Sequence, residues 1–130
     1  MSAANVFLLP LTSSLLLDAF DSPVTFHRCL VPITGSVTAA LMLSQAIWAS
    51  QAPGREPNAW ITISADQWRE QTGLSRREEE TARRALRAGG FIEERRIGMP
   101  PQLSFRVRPE RILRALQCHA KTARTSEARV

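Results

Sequence analysis

The chain has 130 residues, 44% of them apolar and 22% charged. That balance supports one hydrophobic core and excludes both a disordered chain and a pair of full-sized domains. The net charge of +5 and a pI near 10.9 imply an anionic partner.

The charge is uneven. Residues 1–54 hold Arg28 against Asp18 and Asp21, whereas residues 55–114 hold 13 arginines against nine acids. All but one of the 17 basic residues are arginine, whose planar fork of donors suits phosphates and guanine edges. The apolar run from Val6 to Leu17 has no positive charge ahead of it, is interrupted by Pro10 and Thr12-Ser13-Ser14, and closes at Asp18. It is too short to span a bilayer and lacks the charged start of a secretion leader, so a core-forming or partner-facing role is expected, with no membrane partner. Leu15-Leu16-Leu17 and Phe20 suit a short helix ending before Pro23. Pro23 to Thr34, with Phe26, Leu30 and Ile33, suits a short helix or an extended entry segment.

Ser36 is placed to cap a helix over Val37 to Ala49, which is apolar nearly all round (Val37, Ala40, Leu41, Leu43, Ile47, Trp48) and therefore reads as the central buried element. Gln51 to Asn58, with Pro53, Gly54 and Pro57, is a loop. Trp60 to Ile63 is a short β-type run. Ser64 caps a helix over Ala65 to Thr72 with Trp68 inward. Gly73 ends it, Leu74 packs inward, and Ser75 caps a helix from Arg76 to about Ala88 that stops at Gly89-Gly90.

Phe91 to Ile97 and Gln102 to Arg108 form a β-hairpin around Gly98-Met99-Pro100-Pro101. In its second strand Leu103, Phe105 and Val107 take one side and Ser104, Arg106 and Arg108 the other. Pro109 opens a last helix with Ile112, Leu113 and Leu116 on one face, and the final ten residues read as frayed.

This order of elements predicts an α+β, mainly helical fold: a winged helix-turn-helix over 36–108, with a β-hairpin wing and extra terminal helices. Residues 1–35 form an extension for core packing or dimerisation, and 109–130 a helix and tail. At 100° per residue, Glu78, Ala82, Ala85, Leu86 and Gly89 fall on one side of the 76–88 helix and Arg76, Arg77, Glu80, Arg83, Arg84 and Arg87 on the other. A serine-capped helix with five outward arginines suits the major groove, with Arg95, Arg96, Arg106 and Arg108 of the hairpin against the backbone or minor groove. Arg76, Arg77, Glu80, Thr81 and Arg84, beside Ser75, are expected near base edges, and Arg83 and Arg87 on phosphates. The plainer reading is a solvated helix laced by the i, i+4 pairs Glu79–Arg83 and Glu80–Arg84, each adding about 0.2–0.5 kcal/mol.

The residues Gly35-Ser36, Ala40 to Trp48, Trp60, Trp68, Thr72-Gly73-Leu74-Ser75, Glu78, Thr81-Ala82-Arg83, Leu86, Gly90 to Glu94, Gly98, Pro100 and Arg106-Val107 carry a resemblance. Over about 24–108 the chain resembles winged helix proteins of phages, plasmids and integrated elements. The resemblance implies a sequence-specific binder of double-stranded DNA, foremost a transcription regulator, in the cytoplasm of a bacterial or phage-infected cell. The alternatives are a protein-binding module (an inhibitor or adaptor) or a replication accessory protein. Residues 6–20 or the C-terminal helix would hold a protein partner, and equally suit a homodimer contact.

No enzyme, metal or cofactor is expected. His27, Cys29, Cys118 and His119 lack the spacing of a zinc site, and they read as packed free thiols and partly exposed imidazoles. His27 with Asp18 or Asp21 has no nucleophile beside it, and Gly89-Gly90 lacks the lysine of a phosphate loop. Trp48, Trp60 and Trp68 read as core. With no tyrosine and no aromatic on the basic face, binding of single strands by stacking is disfavoured.

Overall fold

A computed structural model of the chain describes residues 23–128 and the single positions 13, 16 and 20, with side chains as far as Arg124. The short helix expected across Leu15–Leu17 and Phe20 lies outside the described residues, except for Leu16 and Phe20, which are both exposed.

A 3₁₀ turn over Arg28–Leu30 leads into α1 (Val31–Thr34), which ends at Gly35 with a φ of 89°. This left-handed residue bends the chain by 118° into α2 (Val37–Ser50). The Ser36 side chain caps α2 by accepting from the Ala39 amide at 3.1 Å. Ala39, Ala40, Met42, Leu43, Ala46 and Ala49 are buried, so α2 is the central beam of the core, and the small alanines let its neighbours approach on several sides. Its two buried polar side chains have partners: Ser44 accepts from the His27 amide at 3.0 Å, and Gln45 donates to Gln71 at 2.9 Å. The expectation fails at both ends of the beam. Val37 is exposed, and so is Trp48, at 60%.

β1 is only Ile61–Thr62, and α3 (Ala65–Thr72) and α4 (Arg76–Ala88) follow. β2 (Ile92–Ile97) and β3 (Gln102–Val107) form the expected hairpin, paired from Ile92–Val107 to Ile97–Gln102. β1 joins β3 antiparallel at Ile61–Phe105 and Thr62–Ser104, which gives a sheet order of β1-β3-β2. Phe105 and Val107 pack into the core, where Trp68 meets Phe105 at a ring separation of 5.2 Å. Ser104, on the strand side expected to carry Arg106 and Arg108, is fully buried. β3 is the central strand, and Thr62 covers Ser104 through a 2.7 Å hydroxyl contact.

α5 (Pro109–Ala128) replaces the frayed tail that was expected. No glycine or proline follows Pro109, so nothing in the sequence stops the helix. Ile112 is buried and Leu116 packs against the core, but Leu113 points outward at 57% exposure, not along the face expected for it. Leu30 and Ile112 belong to the same core as α2. The described chain is thus α+β and mostly helical, with five helices and a three-stranded antiparallel sheet. No single helix among the described residues is long and apolar enough to cross a membrane.

Candidate nucleic-acid interface

α3 and α4 are joined by three residues that each do a separate job. Gly73 ends α3 in the left-handed conformation at a φ of 73° and donates to Arg69 O at 2.8 Å. Leu74 is buried beneath the turn. Ser75 caps α4: its hydroxyl accepts from the Glu78 amide at 3.2 Å, and the Glu78 carboxylate accepts from the Ser75 amide at 3.1 Å. That amide holds the Glu78 carboxyl below the usual glutamate range, with the Ser75 hydroxyl adding to the effect. α3 carries the same reciprocal cap at Ser64 and Gln67. At the far end, the amide of Gly90 donates to Arg87 O and that of Phe91 to Leu86 O, both at 3.0 Å, with Gly90 at a φ of 76°. This closes α4 and turns the chain into β2.

α4 is rotated relative to the angular plot. Its buried stripe is Glu79, Ala82 and Leu86, with Ala85 half-buried, whereas Glu78 and Gly89 are exposed. The cause is an ion cluster invisible to helix periodicity. Arg83 donates to both carboxylate oxygens of Glu94 on β2 (3.0 and 2.9 Å) and to Glu79 at 3.3 Å. Glu79 is 1% exposed and the Arg83 side chain only 20%. Glu94, through that bidentate pair, raises the Arg83 guanidinium above its ordinary range against the opposing effect of burial. Arg83, expected on the outward face, is therefore a tie between α4 and the sheet.

The outward face of α4 carries Arg76, Arg77, Glu80, Thr81, Arg84 and Arg87, all exposed. Glu80 pairs with Arg76 at 3.2 Å and not with Arg84, contrary to the expected pairing. Arg87 lies 3.8 Å from Glu94. Among the described residues, Arg77 and Arg84 have no carboxylate partner. They lie seven residues apart, two helical turns, on one stripe with Thr81 between them.

The four hairpin arginines divide in the same way. Arg106 is 2.5 Å from Glu93, and Arg108 pairs with Glu93 and, at 2.6 Å, with Glu110. Arg106 first and then Arg108 hold the Glu93 carboxyl low, and Glu110 in turn raises Arg108. Arg95 and Arg96 are exposed and have no carboxylate partner among the described residues. They also point to opposite sides of the sheet. Glu94, and with it Arg96, shares the side that meets α4, whereas Arg95 shares the other side with Glu93.

On that second side lies a residue that the sequence reading assigned to the core. The Trp60 ring has the Arg95 guanidinium 4.0 Å from its centroid and that of Arg106 at 4.8 Å. The basic surface therefore does carry an aromatic ring. The signal in the sequence was the alternation of Trp60 and Thr62 with Ile61 and Ile63, and the structure turns the isoleucines inward, Ile61 buried and Ile63 half-buried.

Cys29 and Cys118 are free and exposed, not packed. Among the described residues no cluster of three or more His, Cys, Asp or Glu side chains is placed to hold a metal. No family model, no curated protein and no solved structure matches this chain.

Proposed function

We propose that the protein is a sequence-specific binder of double-stranded DNA, built as a winged helix-turn-helix with α3 and α4 as the helix pair and the β2–β3 hairpin as the wing. The observation that carries this reading is the stripe Arg77–Thr81–Arg84. Two guanidiniums free of carboxylates among the described residues stand on the outer face of a capped helix whose inner face is fixed to core and sheet. Side chains held in this way suit the edges of bases in a major groove, with Arg77 and Arg84 suited to guanine. Arg95 and Arg96 supply positive charge on the adjoining hairpin for phosphates. Ser75 serves by fixing the start of α4. Arg76 and Glu80 flank the stripe in an exposed pair, and Arg87 flanks it at 3.8 Å from the nearly buried Glu94. Regulation of transcription in a phage, plasmid or other mobile element is the role we propose for such binding.

Fluorescence anisotropy tests the reading. The duplex upstream of the protein's own gene and a scrambled duplex of equal length are titrated across a salt series. Tight binding to the first alone at physiological salt supports it. Equal, salt-sensitive binding to both, or none, rejects it.

One observation favours a second reading, a protein-binding module or homodimer using the C-terminal helix: Leu113 stands exposed on α5. The other segment considered for that role, residues 6–20, lies outside the described residues except at positions 13, 16 and 20. Sedimentation of the full chain, alone and with Leu113→Glu, tests it. A dimer that dissociates in the variant supports it, and a monomer in both removes the homodimer.

A further inference from the structure

We infer that Trp60 is a positioning residue: it holds Arg95 flat, with the edge of its fork outward, as the hairpin's dedicated contact to a DNA backbone phosphate. This rests on the duplex-binding reading above and goes beyond it, because it assigns a role to a residue outside the helix pair and the hairpin and singles out one of the hairpin arginines.

The argument starts from charge balance. Three arginines, Arg95, Arg106 and Arg108, share this side of the hairpin. Glu93 and Glu110 occupy Arg106 and Arg108. A phosphate approaching either one competes with a carboxylate already in place. Among the described residues Arg95 has no such competitor, and its one described partner is the indole ring of Trp60, 4.0 Å away. A ring face attracts a guanidinium through its quadrupole but uses none of its N–H donors. Stacking therefore removes much of the side chain's rotational freedom and leaves its donors available, which lowers the ordering cost of forming a phosphate contact. The platform is itself fixed. Trp60 precedes β1, which is anchored by the pairing of Ile61 with Phe105 and of Thr62 with Ser104. Arg106, 4.8 Å from the same ring, is charge-balanced by its bridge to Glu93, so the uncompensated positive charge on this side, among the described residues, is that of Arg95. Among the described residues the Arg106 Nε is buried without a hydrogen-bond partner.

The test compares the wild type with Arg95→Ala, Arg95→Lys, Trp60→Leu, Trp60→Phe and the double variant Trp60→Leu/Arg95→Ala, by anisotropy on the upstream and scrambled duplexes and on a single strand of equal length. Circular dichroism melting establishes that each variant is folded. Arg95→Ala, an exposed site, keeps the test informative should Trp60→Leu fail to fold. Arg95→Ala is expected to weaken both duplexes by the same factor, about tenfold, and to reduce the salt slope by about 0.9. Trp60→Leu is expected to reproduce much of that loss, and Trp60→Phe to keep most of the affinity because the ring remains. Arg95→Lys is expected to lose affinity although the charge is kept, since an ammonium is not a planar fork. The double variant is expected to be no weaker than Arg95→Ala alone. Wild-type binding to the duplex with Arg95→Ala unchanged, full affinity in Arg95→Lys, additive losses in the double variant, or a loss confined to the single strand each overturns the inference and leaves the duplex reading standing. Absence of duplex binding by the wild type overturns both.

Discussion

At the scale of single residues, the same side chain does opposite work depending on what stands beside it. Arg83 and Arg84 are neighbours in sequence, but one is locked between Glu79 and Glu94 and the other has no carboxylate partner among the described residues. Glu94→Ala should therefore destabilise the fold by about 3 kcal/mol, because a largely buried guanidinium loses its bidentate partner. Urea unfolding measures this, and a loss below about 1 kcal/mol contradicts the cluster. Arg84→Ala should leave stability unchanged and cost about 1–3 kcal/mol in binding, with relaxed preference at one base pair. Selection from a randomised duplex pool reads that position; a uniform loss over all sequences places Arg84 on phosphate instead. Glu78 gives a pH dependence. Its folded pKa lies below the ordinary value of 4.5, so the stability it adds is complete above about pH 4.5 and is lost as the pH falls through the lower folded value. Glu93 and Glu110 act in the same direction. Glu78→Gln should make the acid limb of a stability–pH curve shallower. An unchanged limb shows that the reciprocal cap does not hold the charge.

At the scale of elements, the interface depends on where α4 begins, where it ends and how it is rotated. Ser75→Ala removes the acceptor for the Glu78 amide and should cost about 1 kcal/mol. Gly89 matters for a different reason than Gly90. Its φ is ordinary at −76°, but an added Cβ would stand 2.6 Å from the ring of buried Phe91. Gly89→Ala should cost about 1–3 kcal/mol through overpacking, seen as a lower midpoint at unchanged m-value. A neutral result means that the Phe91 ring shifts freely. Both ends of α4 were legible in the sequence, because caps are local and a serine followed three residues later by Gln or Glu repeats at Ser64 and Ser75. The rotation of α4 was not. The angular plot put Glu78 on the inner side and Glu79 was read in a solvated pair, whereas burial of Glu79 followed its partner Arg83 and, beyond that, Glu94 on another element.

At the scale of the whole molecule, a net charge of +5 overstates what is open to an anion. Nine arginines were named for the interface, but within it only Arg77, Arg84, Arg95 and Arg96 are exposed and free of carboxylates among the described residues. Counterion release by these four predicts a slope of log K against log salt of roughly −4, whereas all nine would give roughly −8. Anisotropy on the upstream duplex between 50 and 300 mM salt, on the order of the range where such slopes are measured, separates the two. The steeper value means that the Glu93, Glu94 and Glu110 pairs open on binding.

The sequence by itself determined the order and approximate bounds of the elements from Ser36 to Val107, the hairpin and the inward Trp68, because caps, turns and alternation act over a few residues. It also located the positive charge in the second half of the chain. The tertiary structure decided which of those charges are available. The pairing of Arg83 with Glu94, of Arg106 and Arg108 with Glu93, and of Trp60 with Arg95 joins residues 11 to 35 positions apart, brought together by α4 packing on β2 and by β1 and β2 flanking β3. Trp48, Val37 and Leu113 turned outward for the same reason. A side chain's hydrophobicity is local, but whether a neighbour covers it depends on elements far away in the chain.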